Sequence, residues 1–91
     1  MRMSDSTVQC WLVERELGDR DFVTLVYATP DGSRYQQRQR SSTALRTGAT
    51  VTAATEVPED ELEPVPDEET RTRYATEVDR TADKYDPDDP I

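Results

Sequence analysis

The sequence predicts an α+β protein: a small antiparallel sheet or partly open barrel of about four strands, followed by one C-terminal helix. Three observations carry that prediction. Short runs rich in β-branched and aromatic residues fill 7–57. A proline-glycine turn, Thr29-Pro30-Asp31-Gly32, separates two of those runs. From residue 67 onward the apolar spacing changes from two to three and four. At 91 residues the chain is a single domain, 1–91, with a β-rich part over 7–57, an acidic proline-rich linker over 58–66 and a helix over 67–86.

The first strand is expected over 7–15, with apolar side chains on both faces at Cys10, Trp11, Leu12 and Val13. Leu17-Gly18-Asp19-Arg20 supplies a turn. The second strand, 21–28, is the strongest. Phe22, Val26 and Ala28 fall on one face and Val23, Leu25 and Tyr27 on the other. A strand apolar on both faces is central in its sheet and covered on both sides. Proline at the second position of the Thr29–Gly32 turn and glycine after it make the next strand, 33–40, an antiparallel neighbour. Ser42 to Gly48 reads as one or two helical turns with a serine cap and a terminal glycine, and 49–57 as a fourth strand.

Pro58, Pro64 and Pro66, interleaved with Glu59, Asp60, Glu61 and Glu63, interrupt the pattern, with room for one helical turn after Pro58. In the helix that follows, Asp67, Glu68 and Glu69 favour its N-terminus. Asp67–Arg71, Glu69–Arg73 and Arg73–Glu77 are opposite charges at i,i+4. Ala75, Val78, Ala82 and Tyr85 form an apolar stripe with Tyr74 beside it, and Asp86-Pro87 ends the helix.

Charge is divided unevenly. Residues 1–55 carry 6 acids and 7 bases, whereas 56–91 carry 14 acids and 4 bases, and the whole chain has a formal charge of -9. Ten of the basic residues are arginine and one is lysine. In this balance, and in its abundant threonine, the chain resembles the uncharacterised small acidic proteins of halophilic archaea. That resemblance implies a salt-rich cytoplasm, where carboxylates hold water and a Debye length of about 3 Å at 1 M salt makes their repulsion tolerable. The N-terminal residues lack an apolar signal segment, and no apolar run approaches the ~20 residues of a membrane span. A cytoplasmic location with no membrane contact is the expectation.

Catalysis has little to work with. Histidine is absent, so no Ser/His/Asp or Cys/His set exists, and there is no glycine-rich phosphate loop. Cys10 reads as a small core residue, and the acidic runs 59–61 and 86–89 read as solvated surface without the spacing of a calcium loop. No catalytic residue, cofactor or metal is expected.

The sharpest local feature is Arg34-Tyr35-Gln36-Gln37-Arg38-Gln39-Arg40, whose alternation places Arg34, Gln36, Arg38 and Arg40 on one face and Tyr35, Gln37 and Gln39 on the other. Arg46 follows, and no acid lies between Asp31 and Glu56. The candidate binding face is therefore Arg34, Tyr35, Arg38, Arg40 and Arg46. One use is nucleic-acid binding, with Tyr35, Tyr27 or Trp11 as stacking platforms. Four phosphate contacts give a salt slope near ~-3.6, so a rise from ~0.1 to ~1 M salt would cost roughly 10³ to 10⁴ in affinity. The other use is structural, the arginines pairing with the acidic linker or helix. The thin core and the strand apolar on both faces favour a non-catalytic interaction protein, a homodimer or one bound to another protein, over a nucleic-acid-binding module.

Overall fold

The computed structural model describes residues 6–17, 22–41 and 51–91. Within them, β1 (Thr7–Leu17), β2 (Phe22–Ala28), β3 (Arg34–Ser41), β4 (Ala54–Pro58) and β5 (Glu63–Pro64) form one antiparallel sheet in the order β4-β1-β2-β3-β5. The helix α1 (Glu68–Lys84) lies across one face of it, so the architecture is α+β as expected. Among the described residues no helix is long and apolar enough to cross a membrane. The helical turn expected over 42–48, the turn at 18–20 and the first two residues of the expected fourth strand lie outside the described residues.

β2, apolar on both faces, is the middle strand, and its two faces belong to two separate cores. On one face Trp11, Val26 and Ala28 pack with Tyr74 and Val78 of α1. On the other, Cys10, Leu12, Val23, Leu25, Tyr27 and Val57 pack together, with Val8, Val51, Leu62 and Ile91 against them. The β2–β3 turn forms as its residues dictate. The Gly32 amide donates to the Thr29 carbonyl at 2.8 Å, and Gly32 holds a φ of 75°.

The stretch 58–66, expected as a linker, is a strap built into the fold. Its 3-10 turn, Glu59–Glu61, follows Pro58, and Glu63 and Pro64 then pair with Tyr35 and Arg34. Val65 is buried, and its amide donates to the Ser33 carbonyl at 2.9 Å. The strap thus joins the two opposite edges of the sheet. Five residue steps reach at most about 18 Å, whereas the outer strands of a flat five-stranded sheet stand about 19 Å apart. The sheet must therefore curl, with Leu62 held over the concave face. Among the described residues β4 and β5 do not pair, so the curl stops short of a closed barrel.

The helix begins at an Asp67 cap, whose carboxylate accepts from the Thr70 amide at 2.9 Å and the Thr70 hydroxyl at 2.7 Å. The expected stripe holds at Val78, with Tyr74 beside it: both are buried, while Ala82 and Tyr85, at the helix's C-terminal end, are exposed. The Tyr74 ring meets Tyr35 edge-on with centroids 6.4 Å apart. The three expected i,i+4 ion pairs give way to tertiary contacts: Arg71 donates to the Val65 carbonyl at 3.1 Å, and Arg73 reaches Glu14 of β1 at 3.8 Å.

Candidate binding face

Pairing with β2 decides where the arginines of β3 point. Val23 is opposite Arg40, Leu25 opposite Arg38 and Tyr27 opposite Gln36, so these side chains share the concave face. β1 contributes a further arginine. Its register shifts between Leu12 and Glu14, which places Arg15 opposite Leu25. Without that irregularity, alternation would have left Arg15 on the helix-covered face with Trp11 and Val13. Arg15, Leu25 and Arg38 thus form one cross-strand row, its ends about 10 Å apart, with Arg40 one step along β3.

The row divides into a neutralised end and a bare end. Arg34 stands 4.0 Å from Glu59, and Gln36 donates to Glu61 at 2.8 Å, so the strap covers this end. Arg38 lies over the Tyr27 ring, 5.4 Å from its centroid, and its Nε donates to Gln36 Oε1 at 2.6 Å. Among the described residues Arg40 donates to the Gln39 carbonyl, at 3.1 Å. Among the described residues no carboxylate pairs with Arg15, Arg38 or Arg40. The buried groups beneath feel this positive field. Burial raises the Cys10 thiol to about 11, against the pull of Arg34 and Arg38. Burial likewise raises Tyr27, opposed by Arg38, Arg40 and Arg15.

Of the aromatic residues expected beside the arginines, Tyr27 lies beneath Arg38, and none offers an open ring. Tyr35 lies on the opposite face against Tyr74. Tyr27 is 3% exposed and Trp11 8%, so neither offers a free ring for stacking. Phe22, 50% exposed, belongs to the helix-side face of β2. Arg46 lies outside the described residues. Of the predicted set, the structure brings together Arg34, Arg38 and Arg40, separates Tyr35 from them, and adds Arg15. The signal for Arg15 was an irregularity in β1, which residue alternation does not reveal.

The outer edge of β3 completes the site. β5 covers it only at Arg34 and Tyr35, and among the described residues no strand pairs with 36–40 on that side. Where β5 and the 3-10 turn meet this edge, a cavity of about 460 Å³ opens, lined by Tyr35, Gln37, Leu62 and the acids Asp60, Glu61 and Glu63. The edge therefore runs from an acidic end to a basic one.

The chain belongs to a family of unknown function (DUF7967), whose model matches residues 3–91. No curated protein and no solved structure matches it.

Proposed function

We propose that this member of the family is a small non-catalytic interaction protein of a salt-rich cytoplasm, and that the arginine end of β1, β2 and β3 is its contact surface for an acidic protein partner. The observation that carries the reading is the grouping of Arg15, Arg38 and Arg40 on one face with no carboxylate partner among the described residues, in a chain of net charge -9. Among the described residues no carboxylate offsets the like-charge repulsion of these three neighbouring guanidiniums, which a carboxylate-bearing partner would relieve. In concentrated salt only contact pairs count, because the Debye length shrinks to about 3 Å at 1 M.

Binding to a nucleic-acid backbone is the second reading, and the same arginine row favours it. It lacks support from the aromatic residues, since Tyr27 and Trp11 are buried and Tyr35 packs on Tyr74. The deciding experiment is a titration of isotope-labelled full chain in about 2 M potassium chloride with poly-glutamate and, separately, with a single-stranded oligonucleotide. Resonance shifts at Arg15, Arg38 and Arg40 that are larger with poly-glutamate support the acidic-protein reading. Larger shifts with the oligonucleotide move the assignment to nucleic acid, and unmoved arginine resonances in both titrations remove the contact surface.

A further inference from the structure

We infer that the outer edge of β3 over 36–40 is a strand-addition site that takes up an extended acidic peptide segment. The inference rests on the reading above, that the arginine end meets an acidic partner. It adds the form in which the partner is held. β5 pairs with only two residues of β3, and among the described residues no strand pairs with the outward backbone groups that follow, although the Gln39 carbonyl accepts from the Arg40 guanidinium. An edge of this kind is a template for another strand.

Side-chain geometry selects the chemistry of the incoming strand. Residues i and i+2 of an extended segment project to one face about 6.8 Å apart, the same interval that separates Arg38 from Arg40. Acids at alternate positions of the segment therefore stand beside both arginines, while its other face meets Gln37 and Gln39. The cavity at the far end is lined by Asp60, Glu61 and Glu63 and repels acid, so the segment carries its carboxylates at the Arg40 end and a neutral or basic residue at the cavity. Ladder hydrogen bonds add the component that salt does not screen.

A second copy of this chain fits the edge badly. Two-fold antiparallel pairing of β3 with itself keeps each side chain on its own face, which sets Arg38 against Arg38, or against Arg40, of the other copy. Like charges directly opposite are destabilising, so the arginines oppose self-pairing and favour a segment of opposite charge.

The test uses the full chain and an acetylated, amidated peptide that alternates glutamate with threonine and valine and ends in two neutral residues. Two further peptides of the same sequence carry N-methyl groups on one alternate set of amides or on the other. Binding is read by calorimetry and by amide shifts in about 2 M potassium chloride. The expected result is saturable binding with shifts along 36–40, weakened about tenfold or more by N-methylation of whichever amide set faces β3. Arg40→Glu, at an exposed position, should weaken it by a similar factor, and Arg40→Gln by less. If all three peptides bind equally and Arg40→Glu still abolishes binding, strand addition is overturned while the arginine contact survives. If none of the peptides binds, or a single-stranded oligonucleotide displaces them at lower concentration, both readings are overturned.

Discussion

Gly32 and Arg71 meet backbone to backbone. A methyl group built on Gly32 would overlap the Arg71 carbonyl oxygen and stand 2.8 Å from the Ala75 amide nitrogen. The tip of the β2–β3 hairpin and the first turns of α1 therefore approach more closely than any side chain permits. The same glycine holds a φ of 75°, a left-handed conformation that side chains disfavour. Two independent constraints thus fall on one residue, and they tie the hairpin that presents the arginines to the helix behind it.

Gly32→Ala should destabilise the protein by more than about 2 kcal/mol, the sum of a left-handed penalty and a backbone displacement. Pro30→Ala, in the same turn but exposed, should cost under about 1 kcal/mol. Chemical denaturation of both variants checks this. Equal midpoints would mean that the helix does not rest on the hairpin.

Asp31 holds the same turn through its side chain. One carboxylate oxygen accepts from the Thr29 hydroxyl at 2.8 Å, the Ser33 amide at 3.0 Å and the Ser33 hydroxyl at 2.8 Å. These hydrogen bonds lower its pKa from 3.8 to about 2, the Ser33 amide contributing most. A depressed carboxylate adds stability that is fully present above its unfolded pKa and lost as pH falls through its folded one. The melting-temperature gap between the natural protein and Asp31→Asn should therefore be constant above about pH 4 and shrink toward pH 2. A gap independent of pH over that window would contradict the role.

Much of this was legible in the chain, and the misses share a cause. β2 revealed its central place because both of its faces are apolar, and Pro30 with Gly32 fixed the turn by local chemistry alone. The strap was not legible. Two residues of β5, one of them proline, carry no alternation, and their pairing depends on the reach of the chain across a curled sheet. The helix face was legible at Tyr74 and Val78 but not to its end: Ala82 and Tyr85 share it by spacing and are exposed near the C-terminus, because spacing along a helix does not reveal where the layer beneath it stops. Arg15 was hidden by a register shift that only pairing creates.

Cys10 should be inert in the folded protein. Its side chain is fully buried, and its pKa of about 11 leaves a thiolate fraction on the order of 10⁻³ at pH 8. A maleimide should modify it only as fast as the chain opens, and added denaturant should accelerate the reaction in step with unfolding. Because the folded pKa is raised from 9.0, this thiol also contributes stability that is present below about pH 9 and fades toward pH 11. Rapid labelling at neutral pH without denaturant would show that β1 is accessible.

The last five residues complete the edge beyond β4. The Ala54 amide donates to the Pro87 carbonyl at 3.1 Å, the Ala53 amide to the Asp89 carbonyl at 2.8 Å, and the Ile91 amide to the Val51 carbonyl at 2.8 Å. The side chain of Ile91 touches both cores. Ala53 is fully buried, so loss of its acceptor leaves a buried donor unsatisfied, at about 1–3 kcal/mol. Removing 87–91 should therefore destabilise the chain by roughly 3–5 kcal/mol, with Ile91→Ala alone costing about 1–2 kcal/mol. Hydrogen exchange gives the sharper readout. The Ala53 and Ala54 amides should lose protection in the truncated chain and keep it in Ile91→Ala, since the point variant retains the backbone acceptors. Protection retained after truncation would assign these amides to another partner and remove the tail from the sheet.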